Sequence, residues 1–234
     1  MRARLLTVAL TAALAGCASM HKVPAPAPAP VEATSEAQSN VEAAPEVRPA
    51  AHLACLQHPD IDAWETRLRA NRGYWAPSVN ARDRGGRHLP RLRHLVTKAG
   101  LPESLALLPV IESGFRAHAR SRDGGGGLWQ LQRPTARRFG LAVGGRRDER
   151  FDPDRSTLAA TRYLRFLHAR YRDWPLALAA YNAGEGRVDR ALARRPGSTV
   201  WELARHRHIP PRTADYVGRF LAVVRLVEPP DVGC

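Results

Sequence analysis

The sequence predicts a mainly α-helical domain. Three observations carry this reading. Apolar residues recur at three- and four-residue spacing through successive segments. Aspartate, proline and glycine stand where such segments should start and stop. No run alternates apolar and polar residues as a half-buried strand would, although a small hairpin in the Gly-rich region stays open.

The segments follow in order. Asp60 can cap a helix through Ile61, Trp64 and Leu68. Leu89 to Ala99 sets Leu92, Leu95 and Val96 on one face, and Gly100 supplies a stop. Pro102 suits the first position of a helix running through Leu105, Leu107, Leu108, Val110 and Ile111 to Glu112. That helix is apolar almost all round and should be buried, with Pro109 kinking it. Asp152-Pro153 opens a long helix with Tyr163, Leu164, Leu167 and Tyr171 on one side. Trp174 to Tyr181 reads as a short, alanine-rich buried helix ending near Gly184, and Glu185 to Arg195 as another. Pro211 to Val227 is the last, with Tyr216, Phe220, Val223 and Val224 facing inward.

Ahead of this domain the composition changes. Arg2 and Arg4 precede an apolar stretch, Leu5 to Ala15, too short to span a bilayer, which takes about 20 residues. It ends in Leu14-Ala15-Gly16-Cys17, which resembles the lipobox of bacterial lipoproteins. The expectation is a signal peptide over 1–16 and a lipid on Cys17; the alternative is an ordinary signal peptide with an incidental cysteine. Ala18, rather than Asp, favours the periplasmic face of the outer membrane. Residues 17–50 then form a Pro/Ala-rich tether too poor in large apolar residues to fold, with residues 51–234 as one domain.

The net charge is +14, and the charges of the first fifty residues cancel, so the excess belongs to the domain. Only Lys22 and Lys98 are lysines; the rest of the positive charge is arginine. Such a surface favours a polyanion. Export argues against nucleic acid, and the carboxylates of peptidoglycan stems are the better partner. Cys55 and Cys234 stand at the two ends of the domain and can close a disulfide there; two free thiols are the alternative.

Glu112 stands out chemically. A carboxyl ending an apolar helix is costly to ionise, and a raised pKa lets it act as a general acid near neutral pH, the logic of the lysozyme glutamate. The alternative is a solvated glutamate at a helix end.

Four motifs then carry a family resemblance over about residues 100–225. Glu112-Ser113-Gly114-Phe115 resembles the Glu-Ser-x-Phe signature of the soluble-lytic-transglycosylase catalytic domain. Gly127-Leu128-Trp129-Gln130 is similar to its Gly-Leu-Met/Trp-Gln segment. Ala180-Tyr181-Asn182-Ala183-Gly184 matches Ala-Tyr-Asn-x-Gly, and Arg212-Thr213-Ala214-Asp215-Tyr216-Val217 resembles Glu-Thr-x-x-Tyr-Val, with Arg212 in place of Glu. The branch most resembled is membrane-bound lytic murein transglycosylase D, here without the LysM repeats that often follow.

The resemblance implies a lysozyme-like (goose-type) helical domain with a deep substrate cleft, acting as a monomer on peptidoglycan glycan strands without metal or cofactor. It implies Glu112 as the catalytic acid, then base, cutting the MurNAc–GlcNAc bond to leave 1,6-anhydroMurNAc ends. Ser113 would orient Glu112. Gln130 and Asn182 would hold the sugar, and Tyr181 and Tyr216 would line the cleft. Phe115 and Trp129 are equally sugar contacts or wall packing. Glycines 124–127 would let the backbone turn beside the cleft, or leave a floppy loop. Asp123 reads as a solvated loop residue and is the only nearby second acid, so hydrolysis by the same fold stays open. A silent wall-binding lipoprotein is a third reading. His118 and the other histidines lack metal-ligand spacing.

Overall fold

The computed structural model describes residues 53–70, 85–145, 147–228 and 234. All lie in the compact unit Pro45–Cys234. The signal segment, Cys17 and the tether expected over 1–50 lie outside the described residues. Among those described, no helix is long and apolar enough to cross a membrane.

The elements are α1 (Pro59–Ala70), α2 (Leu89–Lys98), a 3-10 turn (Glu103–Leu107), α3 (Leu108–Glu112), α4 (Arg133–Arg138), β1 (Val143–Gly144), β2 (Arg147–Asp148), α5 (Pro153–Tyr171), α6 (Trp174–Ala183), α7 (Glu185–Arg194), α8 (Val200–Arg205) and α9 (Pro211–Val227). The fold is mainly helical, with one two-stranded antiparallel hairpin pairing Val143 with Asp148.

Helix α6 explains the layering. Its residues Trp174 to Ala180 are all buried, because the segment carries no polar face to turn outward. Four helices, α5, α7, α8 and α9, pack around it. Asp173 caps its start by accepting a hydrogen bond from the Leu176 N–H at 2.6 Å, and Gly184 ends it at φ +85°, a conformation that favours glycine. Asp152 caps α5 in the same way, accepting from the Arg155 N–H at 2.8 Å. Helix α9 packs against both α6 and α1. Cys55 and Cys234 are joined by a disulfide, with Cα atoms 5.3 Å apart and 179 residues between them in sequence.

The expected continuous helix from Pro102 to Glu112 is in fact two pieces. Pro102 precedes a 3-10 turn, and Pro109 falls in the first turn of α3. A proline has no N–H to give an ongoing helix but loses nothing in a new one. Among the described residues, α4, α8, the hairpin at 143–148 and the 3-10 turns Leu53–Cys55 and Glu149–Phe151 had no counterpart in the sequence reading. Each is six residues or shorter, and such lengths give too few repeats for a periodicity to register.

Candidate active site

Glu112 ends α3, and Ser113 has already left the helix, with φ −131°. The residue is half-buried. Burial pushes its carboxyl up to about 7, against a smaller lowering from the Tyr216 hydroxyl. That hydroxyl donates to Glu112 Oε1 at 2.5 Å from the second turn of α9. Tyr181, from the end of α6, is the second phenol beside the acid. Burial first, and then the charge of Glu112, hold both phenols well above their ordinary pKa. Both therefore stay protonated as neutral donors.

The site thus sits where the end of α3, the end of α6 and the start of α9 converge. A hollow of about 510 Å³ opens there, lined by Ile111, Asn182, Asp123 and Tyr216. Asn182 is exposed to it. Asp123 is an exposed loop residue, as its sequence context suggests, and it lines the same hollow. Arg187, Arg212 and Arg219 complete a wall more basic than the motifs suggest.

The other expected contacts are placed differently. Trp129 is fully buried, and its indole N–H donates to Thr157 Oγ1 at 2.8 Å. It is wall packing, with no face free for a sugar. Phe115 is 3% exposed and takes φ +56° at the turn after the acid. Gln130 spends its amide N–H groups on the main chain, donating to Gly127 O at 2.8 Å and Ala119 O at 3.3 Å. Ser113 is buried, with its hydroxyl turned back to Pro109 O at 3.4 Å. Gln130 and Ser113 therefore brace backbone here; neither side chain touches Glu112 through a hydrogen bond.

The glycine loop that Gln130 braces is pinned rather than floppy. Arg150, 2% exposed, makes a double ion pair with Asp148 (2.9 and 2.8 Å). It also donates to Gly124 O at 2.7 Å and Leu131 O at 3.0 Å. A Cβ at Gly126 would come within 2.9 Å of that guanidinium, and one at Gly127 within 1.7 Å of the Arg150 carbonyl. The loop then presents Trp129 O to the Tyr181 hydroxyl at 2.7 Å. Arg150 is thus coupled to the acid through loop and phenol, a role hidden in a sequence with so many arginines. Among the described residues no group of His, Cys, Asp or Glu is arranged to hold a metal ion.

Comparison with known proteins gives the arrangement a context. Residues 94–203 match the family model of the transglycosylase SLT domain. Over 133 residues the chain is 38% identical to the membrane-bound lytic murein transglycosylase D of Escherichia coli (strain K12), covering 55% of this chain and 28% of that protein. It is 44% identical over 108 residues to a putative tributyltin chloride resistance protein of Alteromonas sp. (strain M-1), covering 44% of this chain and 52% of that one. The chain therefore spans from about a quarter to about half of these relatives. Among solved structures, an inactive Glu-to-Gln mutant of the lytic transglycosylase Slt from Pseudomonas aeruginosa superposes with TM-score 0.50 at 27% identity, over 59% of this chain and 23% of that one. A 70-kDa soluble lytic transglycosylase in complex with bulgecin A superposes with TM-score 0.55 at 22% identity, over 71% and 28%, which establishes the fold alone.

Proposed function

We propose that this chain, which carries a transglycosylase SLT domain, is a lytic transglycosylase cutting the MurNAc–GlcNAc β-1,4 bond of peptidoglycan. The observation that carries the reading is the half-buried Glu112, its carboxyl raised to about 7 and held by the neutral Tyr216 hydroxyl. Such a group is protonated at neutral pH and can give its proton to a glycosidic oxygen. Once ionised it is the base for the next step. The substrate's own N-acetyl oxygen would stabilise C1 as the bond breaks, and the C6 hydroxyl, losing its proton to Glu112, would close on C1. The product is a 1,6-anhydro end, and no water is consumed. The relative inactivated by a single Glu-to-Gln change supports a one-glutamate site.

Asn182 is the polar side chain best exposed to hold the sugar. Ser113, Gln130, Phe115 and Trp129 would act by shaping the cleft from behind. Anchoring by a lipid on Cys17 at the periplasmic face of the outer membrane, with the domain working as a monomer, belongs to the same proposal; the membrane-bound relatives support membrane association alone.

A second reading, hydrolysis, is favoured by one observation: Asp123 faces the same hollow and could steer a water. Digestion of purified sacculi followed by mass spectrometry separates the two. Products one water lighter than reducing muropeptides, lost in Glu112→Gln and kept in Asp123→Asn, are expected. Full-mass reducing ends lost in Asp123→Asn would establish hydrolysis. Release that survives Glu112→Gln would remove the glutamate from the mechanism.

A further inference from the structure

A second hollow, of about 1020 Å³, shares no lining residue with the one beside Tyr216. It is lined by the segment that leaves the acid's helix, Phe115 to Arg120, by Arg87 and His88, and by the turn into α5 at Phe151–Pro153. Its lining joins two phenylalanines, Phe115 and Phe151, to three arginines. The Arg120 guanidinium lies over the Phe151 ring, 4.1 Å from its centroid, a cation–π contact. Arg116 is tethered by its Nε donating to Ser113 O at 3.0 Å. Arg87, Arg116 and Arg120 are all exposed.

These arginines differ from their neighbours. Nearby Arg91 pairs with Asp154 at 3.0 Å and Arg155 with Glu149 at 2.8 Å. Among the described residues, no carboxylate pairs with Arg87, Arg116 or Arg120. The one carboxylate on the rim, Asp152, already accepts the cap hydrogen bond of α5. The positive field is felt by His88, whose imidazole is pushed below its ordinary pKa by burial and then by Arg87.

We propose that this hollow is a binding site for the peptide stem of the strand being cut, with Arg87, Arg116 and Arg120 taking its carboxylates. The inference rests on the peptidoglycan reading above. Three lines support it. Unpaired guanidinium groups recognise carboxylates in a two-pronged way. An apolar lining with a few convergent polar groups is the usual make-up of a ligand site, and the volume suits a short peptide. The hollow begins three residues after Glu112, so a stem seated there belongs to a sugar near the acid.

The test compares strands bearing acidic stems with strands stripped of stems by an amidase, using the whole chain and the double variant Arg87→Glu/Arg120→Glu. Arg116 is left alone because it holds the Ser113 carbonyl. For stem-bearing strands KM should rise about tenfold with kcat little changed, as two attractive charges become repulsive. Turnover of stripped strands should not move. The KM difference should shrink as salt is raised. Equal KM for both proteins on stem-bearing strands, or an equal loss on both substrates, would overturn the proposal. If the unaltered chain cuts neither substrate, the lytic reading fails first. Binding of a free stem tripeptide, followed by calorimetry, then decides the hollow: weaker binding by the variant keeps it, and no binding by the unaltered chain ends it.

Discussion

At the residue scale, one proton on Glu112 couples activity and stability. Its pKa lies near 7 instead of 4.5, so the folded state binds that proton more tightly than the unfolded chain does. Stability from this group is therefore complete below pH 4.5 and is lost as pH rises through 7. Glu112→Gln, which has no charge to bury, should gain up to about 3 kcal/mol over the parent at pH 8 and little at pH 4. Paired thermal melts at the two pH values check this. Activity has the same sign: the acid form is needed, so kcat/KM should fall about tenfold per unit above its pKa. Tyr216→Phe removes the one hydrogen bond that favours ionised Glu112. Its alkaline limb should move to higher pH while kcat drops, and a pH–rate profile of the variant would show a limb that stays put if the phenol does not control the acid.

At the scale of elements, the glycine loop and Arg150 form one unit. Gly127 is at φ +77°, and an added Cβ would overlap the Arg150 carbonyl, which is backbone and has nowhere to go. Gly127→Ala should cost about 4 kcal/mol or more and abolish cleavage together with fold. Gly145, at φ +53° with open space around it, is the matched control. Gly145→Ala should cost about 1 kcal/mol, the conformational part alone. Urea titration of both variants separates collision from conformation; equal costs would mean that the loop yields. The same comparison shows how legible these elements were. The four glycines were visible as a run, but sequence left open whether they flex or pack, because Arg150, the partner that pins them, is 26 residues beyond Gly124.

For the molecule as a whole, the Cys55–Cys234 bridge closes nearly the entire domain into one loop. Chain entropy lost by the unfolded state makes such a closure worth at most about 5 kcal/mol. Cys55→Ser/Cys234→Ser, or reduction by a thiol, should lower Tm by several degrees. Cleavage at 25 °C should persist, since the bridge lies beside Arg225 near the C-terminal end of α9, whereas Tyr216 stands in that helix's second turn and Glu112 and Tyr181 stand on α3 and α6. An unchanged Tm would mean that the cysteines are not paired in the folded chain.

Sequence by itself determined the long helices, because amphipathic spacing and caps are local: Asp152-Pro153, Gly184 and Pro211 stand where α5 begins, α6 ends and α9 begins. It also determined Glu112 as the residue of interest, since an apolar run ending in a carboxyl is itself a one-dimensional pattern. Tertiary structure decided the rest. Tyr216 meets Glu112 across 104 positions. Trp129 turned inward and Gln130 was spent on backbone. Arg87, Arg116 and Arg120 gather around one hollow with, among the described residues, no carboxylate paired to them. Each of these depends on which side chains meet across distant elements, and a hydrogen bond or an unmatched charge exists only once packing has chosen its neighbours.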